Sequence, residues 1–167
     1  KSLNIMNPPD LIEELELSPL VEFSNINISA TSDKGNLLAG MYQYCYRLSN
    51  DNGNVTRFSN LSNFAHVLNG NEYWRYSEDP EDGSEYSNTT PGEETSKEIS
   101  VSVTNIDTSF DYIEIAAVYS SGLNSIDSAT LLTKELIPQA SNITVKHLDN
   151  SQGSPITIEE ITSFNTV

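Results

Sequence analysis

The sequence predicts an all-β fold, an antiparallel β-sandwich with a long acidic loop, from three observations. Tyr42, Tyr44 and Tyr46 alternate with other side chains, which is the period of an extended strand. The Asn-, Asp- and Gly-rich residues 50–53 then turn the chain back. Roughly seven short segments of this kind follow one another, with a turn signal about every ten residues, which is typical of a sandwich.

Composition limits the classes of function. The 167 residues are enough to bury one hydrophobic core. Eight Lys and Arg stand against 24 Asp and Glu, a formal charge of -16, and such a surface repels phosphate backbones and anionic membranes. No apolar run reaches the ~20 residues that span a bilayer. We therefore expect neither nucleic-acid binding nor membrane association.

The N-terminal residues 1–20 are predicted to be a connector. Lys1 is not an initiator Met, so we expect the chain to begin inside a longer polypeptide or to follow a processed segment. Within the connector, residues 10–15 are acidic and periodic enough for one or two helical turns, with Asp10 as the N-cap. A helix this short depends on packing for its stability.

The first half of the sandwich domain, predicted over residues 21–150, begins with a strand at 21–30. The two halves of that strand alternate on opposite phases, as though a β-bulge separated them. Residues 37–49 and 54–60 are predicted to form a hairpin, and a further short strand lies within 64–68 on either of its two phases. No internal repeat is evident.

An aromatic island, Tyr73, Trp74 and Tyr76, has two interpretations. The first makes Trp74 the core tryptophan of the sandwich, with the tyrosines beside it. The second makes the three rings a contact surface, because Trp and Tyr dominate binding hot spots and also stack on sugar rings. If they form a contact, we expect a neighbouring protein subunit more than a glycan.

The segment that follows, residues 77–96, is acidic and rich in Pro, Gly, Ser and Thr. It has almost no aliphatic side chains and so little apolar area to bury. We expect an exposed excursion from the sandwich, of the length usually found in functional or mobile loops.

Regular alternation resumes after this excursion. Four strands are predicted at 97–104, 112–119, 129–137 and 142–148. Residues 156–161 fit either a strand or a short helix capped by Ser154, and the sequence leaves both open. Residues 151–167 are predicted to be a C-terminal connector that leads to the rest of a longer protein.

Candidate nucleophiles and acid–base groups are few. Cys45 is the only cysteine, so no disulfide forms within the chain. A nucleophilic cysteine needs a histidine near it and a lowered pKa, and only His66 and His147 are available. We interpret Cys45 as a buried, inert thiol.

The oxygen-rich loops and the glutamate pairs also have structural explanations that require neither metal binding nor catalysis. Residues 50–54 and 79–83 resemble cation loops, but both lack the glutamate of an EF-hand, and turns favour the same residues. The glutamate pairs at 13–14, 93–94 and 159–160 lie in segments that read as exposed. We therefore predict no catalytic residues, no metal and no cofactor.

One motif resembles a known domain type. Residues 106–112, Ile-Asp-Thr-Ser-Phe-Asp-Tyr, followed by Ile113 and Ile115, resemble the sixth strand of fibronectin type III domains. The resemblance implies a fibronectin III or immunoglobulin-like sandwich. The phase departs from that pattern, because it places Glu114 on the face of Tyr112, where the tyrosine corner would need an apolar neighbour.

Three motifs in order resemble virion structural proteins of crAss-like bacteriophages. They are Gly-x-Tyr-x-Tyr at 40–44 with Gly53 and Thr56, the motif at 105–112, and Leu-Asp-Asn-x-x-Gly-x-x-Ile at 148–156. The resemblance extends over about residues 37–160 without the acidic loop. The proteins that it resembles are stabilisation or muzzle-type tail proteins, which are large proteins near the portal vertex. That family has no catalytic residues that could be assigned to this sequence.

The resemblance implies a non-enzymatic domain of a phage tail or portal-vertex protein that acts through subunit assembly. Its partners would be other copies of itself and neighbouring virion tail proteins, and its location the virion. The alternative hypothesis is a carbohydrate-binding or host-surface-binding module that uses Tyr73, Trp74 and Tyr76.

Overall fold

The structure is a computed structural model that describes residues 21–30, 34–68, 89–122 and 124–163. It contains eight strands and one short helix within these ranges. The elements are β1 (Ile26–Ala30), β2 (Gly40–Ser49), β3 (Ala65–Val67), β4 (Ile99–Val103), β5 (Tyr112–Ser120), β6 (Ser128–Leu136), β7 (Ile143–His147), β8 (Ser154–Pro155) and α1 (Ile158–Thr162).

The strands form two antiparallel sheets. The three-stranded sheet has the order β1-β4-β7, and the five-stranded sheet has the order β3-β2-β5-β6-β8. The longest pairing joins β2 to β5 over nine residue pairs, from Met41 opposite Ser120 to Ser49 opposite Tyr112. The predicted all-β, antiparallel sandwich is confirmed.

The inner core lies between the two sheets. From β4 it receives Ile99, Val101 and Val103, and the alternate residues of β4 face outward. Tyr42, Tyr44, Tyr46 and Leu48 of β2 meet them from the five-stranded sheet. Each fully buried aliphatic side chain contributes about 1.5–3 kcal/mol relative to exposure, so this alternation largely determines which face of each strand turns inward.

A second apolar layer, the outer cluster, covers the other face of the five-stranded sheet. Cys45 of β2 and Ala116 and Val118 of β5 lie beneath Phe58 and Ile161 of α1. The central strands are therefore buried on both faces, which explains why β5 reads as an almost continuous apolar run.

Helix α1 decides between the two possibilities left open for residues 156–161. The helix forms over Ile158–Thr162, and its N-cap is Thr157, whose hydroxyl accepts a hydrogen bond from Glu160 N–H. Ser154 belongs instead to β8. Ile161 is the buried residue of the helix, and it anchors the helix to the outer cluster.

The predicted hairpin partner of β2, residues 54–60, does not form a strand. One isolated bridge, Ser49 to Val55, is all that remains of a ladder there among the described residues. Residues 56–64, here called the triplet segment, run beside β2 and consist of three triplets of one kind: Thr-Arg-Phe, Ser-Asn-Leu and Ser-Asn-Phe. This repeat is only three residues long, far shorter than the repeats of about 20–50 residues that mark a repeat architecture.

Each triplet binds one residue of β2 through its first member. The backbone N–H groups of Thr56, Ser59 and Ser62 donate to the carbonyls of Leu48, Tyr46 and Tyr44, at 2.8, 2.7 and 2.8 Å. Their hydroxyls accept from the N–H groups of the same three residues, at 2.9, 3.1 and 2.9 Å. A hydroxyl thus replaces the backbone carbonyl of a regular strand partner.

The spacing explains why a ladder is impossible here. Three residues of the triplet segment advance beside two residues of β2, a distance of about 6.6 Å along a strand. Three fully extended residues would need about 10 Å. The compact triplets satisfy the β2 edge with side chains, and they turn Phe58 and Leu61 onto the outer cluster.

The first strand is shorter than predicted. β1 spans Ile26–Ala30, and the residues from Val21 to Asn25 precede it without ladder pairing. Phe23 meets the ring of Tyr46 edge-on, with centroids 5.3 Å apart, and the backbone N–H of Ser24 donates to the Tyr46 hydroxyl at 2.7 Å.

Part of the predicted acidic excursion lies outside the described residues, as do the connector at 1–20 and its acidic helix. Of residues 77–96, those from Thr89 onward are described, and they run along Leu37–Ala39. Ala39 N–H donates to Glu93 C=O at 2.7 Å. Thr95 is buried, and its hydroxyl donates a hydrogen bond to Leu37 C=O at 2.6 Å.

Candidate functional site

The aromatic island falls outside the described residues. Whether Tyr73, Trp74 and Tyr76 form the core, a subunit contact or a glycan contact therefore stays a prediction. The candidate cation loop at 79–83 and the glutamate pair at 13–14 also lie outside the described ranges.

Cys45 is buried in the outer cluster, on the face of β2 opposite the tyrosines. Burial is the main reason that the pKa of its thiol rises to about 12, and the Arg47 charge offsets this only in part. A thiol with that pKa stays protonated at neutral pH, and only a thiolate is a strong nucleophile.

The loop at residues 50–54 is built as a turn. Gly53 N–H donates to Asn50 C=O, and Asn54 N–H donates to the side-chain oxygen of Asn52. The backbone of Asp51 instead donates to the Asp111 carboxylate at 2.8 Å. Across the described ranges, no three His, Cys, Asp or Glu side chains come together as a metal site.

The other glutamate pairs lie in separate places. Glu159 and Glu160 occupy the first turn of α1, where a negative charge is favourable. Glu93 and Glu94 lie beside Leu37–Ala39, and the backbone of Glu94 bridges Leu38.

The most connected polar cluster is buried between the sheets, and sequence reasoning missed it. The Tyr44 hydroxyl lies 2.9 Å from Nδ1 of His147, and the pair is buried. Because the two residues are 103 positions apart, only the topology brings β2 and β7 face to face. Tyr42 meets the same imidazole edge-on, with ring centroids 5.5 Å apart.

A second part of this cluster ties the 148–153 turn to the sheet. The Asn150 amide oxygen accepts from Leu38 N–H at 2.8 Å, and its amide nitrogen donates to the Tyr42 hydroxyl at 3.0 Å. The Tyr42 hydroxyl donates in turn to Leu38 C=O at 2.6 Å. Residues of the first and third sequence motifs are thus direct neighbours.

Electrostatics keep this cluster neutral. Burial lowers the pKa of His147 to about 4, although the nearby Asp149 favours the charged form. Burial likewise raises the pKa values of Tyr42 and Tyr44 above their usual range. At neutral pH the cluster is a set of uncharged, hydrogen-bonded groups, which suits a rigid support between sheets.

The remaining motif, residues 105–112, joins strand ends. The Asp107 carboxylate accepts from both the backbone and the hydroxyl of Ser109, which lowers its pKa and closes a tight turn. Asp111 N–H donates to Ser49 C=O, and Ile137 N–H donates to Asp111 C=O. This motif therefore fastens the end of β2 to the end of β6.

The third motif also contains a glycine that no other residue replaces without strain. Gly153 has a φ of +85°, and a Cβ atom there would lie 2.1 Å from the carbonyl oxygen of Leu131. The close approach lets Ser154 and Pro155 pair with β6. The motif glycine thus serves the sheet edge.

A groove of about 500 Å³ opens at the surface between residues 21–27 and the triplet segment. Asparagines occur on both of its walls, among them Asn27 on β1 and Asn60 on the triplet segment. Arg57 is its one charged lining residue, and the Arg57 guanidinium lies 5.8 Å from the centre of the Phe23 ring.

These features define a structural β-sandwich domain: the polar groups of all three motifs are used to hold strands, turns and sheets together. Within the described ranges, no helix is long and apolar enough to cross a membrane.

The chain matches the family model of the Crassvirus muzzle protein over residues 1–167, and it belongs to that family. It is therefore a virion component, as the sequence motifs indicated. None of the curated proteins compared with the chain matches it.

Proposed function

We propose that this chain is a non-enzymatic structural domain of the phage tail or portal vertex, and that it works through contacts between subunits. Its partners are other copies of itself and neighbouring tail proteins. Family membership supports the virion role, and the internal use of the motif residues supports the non-enzymatic part.

The observation that carries the proposal is the arrangement of Tyr42, Tyr44, His147 and Asn150. Three of these residues belong to the motifs and His147 directly precedes the third motif, and their hydrogen bonds are made to one another and to Leu38. A reacting group must be able to reach a substrate. Here Tyr42, Tyr44 and His147 are buried, and the Tyr44–His147 pair connects the two sheets, which gives a stiff body for assembly.

The test is a phage deleted for this gene and complemented from a plasmid at graded expression. We expect particles grown without the chain to lack a complete tail vertex in electron micrographs and to lose infectivity. Infectivity should rise in proportion to the copies incorporated per particle. Complete, infectious particles without the chain would contradict a structural role, and full rescue by far fewer copies than the vertex contains would indicate catalysis instead.

The alternative function, binding of a host-surface glycan through Tyr73, Trp74 and Tyr76, rests on the sequence alone. A glycan array probed with the wild-type chain and with Trp74→Ala tests it. Binding that disappears in the variant would support the alternative, and an empty array would remove it.

A further inference from the structure

The sheet edges of this domain differ in how far other residues cover them. In the five-stranded sheet, the triplet segment and the three-residue β3 cover the outer edge of β2. The opposite side ends in β8, which is two residues long and contains Pro155. Very short edge strands and proline are established ways to block pairing with another chain.

The β7 edge of the three-stranded sheet is also covered. The side chain of Gln152 donates from Nε2 to Lys146 C=O at 2.9 Å and accepts at Oε1 from Leu148 N–H at 2.8 Å. Its amide thus takes the place that a neighbouring strand would occupy. Lys146 also lies on this edge, where its ammonium is 2.9 Å from the Glu98 carboxylate.

β1 differs from all of these edges. Residues Ile26–Ala30 contain no charge and no proline. Among the described residues, β1 pairs with β4 on one side and has no strand on the other. An exposed row of backbone N–H and C=O groups is a template for adding an extended chain.

The groove lies at the start of this edge, where Ile26 and Asn27 line it, so an added strand would have room there for its side chains. Alternate side chains of a strand point to opposite faces, and those on the inner face would enter the groove between β1 and the triplet segment. The amides of Asn27 and Asn60 each offer donors and an acceptor that match a peptide backbone.

Charge indicates what kind of chain this is. Residues 21–30 contain one acidic residue, Glu22, and residues 55–68 contain one basic residue, Arg57. Their sum is zero, whereas the whole chain carries -16. Two copies that approach each other therefore meet less repulsion at the groove than the net charge of the chain implies, and Arg57 there attracts an acidic segment.

We propose that the β1 edge and its groove form a docking site for an extended segment of a second copy of this chain. Backbone hydrogen bonds to β1 supply the affinity, and the side chains in the groove fix the register. The inference rests on the proposed function, because it identifies the surface through which copies assemble.

The experiment compares two double variants by sedimentation equilibrium. Asn27→Asp with Asn60→Asp places a carboxylate on each wall of the groove. Asn142→Asp with Thr144→Asp is the matched control, because it adds the same charge to exposed positions at the opposite edge of the same sheet. We expect the groove variant to raise the dissociation constant of self-association about tenfold or more, and the control to change it less than about twofold.

Residue-resolved amide exchange accompanies the sedimentation data. Amides of residues 26–30 that are open in dilute protein should become protected as the protein is concentrated. Three results would overturn the proposal: a wild-type chain that stays monomeric, equal dissociation constants for the two variants, or full protection of β1 in the monomer. A monomer that still restores infectivity in the complementation assay would overturn this docking site and leave the structural role intact.

Discussion

The outer edges of β2 and β1 differ in whether their outward backbone N–H and C=O groups have hydrogen-bond partners. On its outer side β2 pairs with β3 only at residues 40–42, and β1 has no strand on its outer side among the described residues. At β2, three hydroxyls and three amides of the triplet segment satisfy the backbone of Tyr44, Tyr46 and Leu48. At β1, the described residues supply no such cover. The covered edge stabilises the five-stranded sheet, and the open edge is the one that we propose for contact with a second copy.

Removal of the cover from β2 should have the largest effect. The variant Thr56→Val with Ser59→Ala and Ser62→Ala deletes the three hydroxyls and leaves three N–H groups of β2 without acceptors. A buried donor without a partner costs about 1–3 kcal/mol, so we expect unfolding to become easier by about 3 kcal/mol or more. Urea unfolding monitored by far-UV circular dichroism measures the change.

Its control is Ser102→Ala with Thr144→Val, which removes a hydroxyl pair 2.9 Å apart on the exposed face of the other sheet. We expect a change within about 0.5 kcal/mol. A triplet variant no less stable than this control would mean that water replaces the hydroxyls and that the β2 edge needs no cover.

Acid should weaken the contact between β2 and β7, which the Tyr44–His147 pair forms. The pKa of His147 is about 4 in the folded protein and about 6.5 in an unfolded chain. The pKa is lower in the folded protein, so the neutral form of His147 stabilises the fold fully above pH 6.5. The free energy of unfolding then falls as the pH drops from 6.5 toward 4. The difference of about 2.5 units corresponds to about 3 kcal/mol at most.

His147→Gln separates this effect from other titrations. The carboxylates of Asp107 and Asp149 have pKa values below their usual range, so their contribution to the stability of the protein is lost only at lower pH. Between pH 7 and 4.5, unfolding free energies of the wild type should slope downward, and those of the variant should be much flatter. Equal slopes would show that His147 already takes up a proton in the folded state.

A smaller effect is expected from the cover of the β6 edge. Gly153→Ala forces a Cβ atom against Leu131 C=O, whereas Gly92→Ala, at a similar φ of +87°, meets nothing within 4 Å. In both variants an alanine in the left-handed backbone conformation destabilises the fold by about 1 kcal/mol. Only Gly153→Ala adds a clash between its Cβ atom and a backbone carbonyl. We expect Gly153→Ala to be more destabilising by about 1–2 kcal/mol in thermal unfolding. Equal losses would mean that β8 shifts freely.

Alternation of apolar and polar residues was sufficient to predict most of the fold. The segments predicted at 97–104, 112–119, 129–137 and 142–148 correspond to β4 to β7, with ends displaced by one or two residues. Two-sided burial of β2 and β5 was less visible, because a strand between two apolar layers loses the polar half of its pattern.

Residues 54–60, which include the first part of the triplet segment, were predicted as a strand because residues 55–59 read as β-prone. The triplet segment's true period of three was present in the sequence, but a search for periods of two or 3.6 does not detect it. The Tyr44–His147 pair left no local signal at all. Residues 103 positions apart become neighbours only once the order of both sheets is known.

Residue-resolved amide exchange of the dilute wild-type chain tests the contrast between the two edges most directly. The account predicts slow exchange at Tyr44, Tyr46 and Leu48, whose N–H groups meet the hydroxyls of the triplet segment. It also predicts fast exchange for the outward N–H groups of β1, which slow down only as the protein is concentrated. Equal protection of both edges in dilute protein would contradict it.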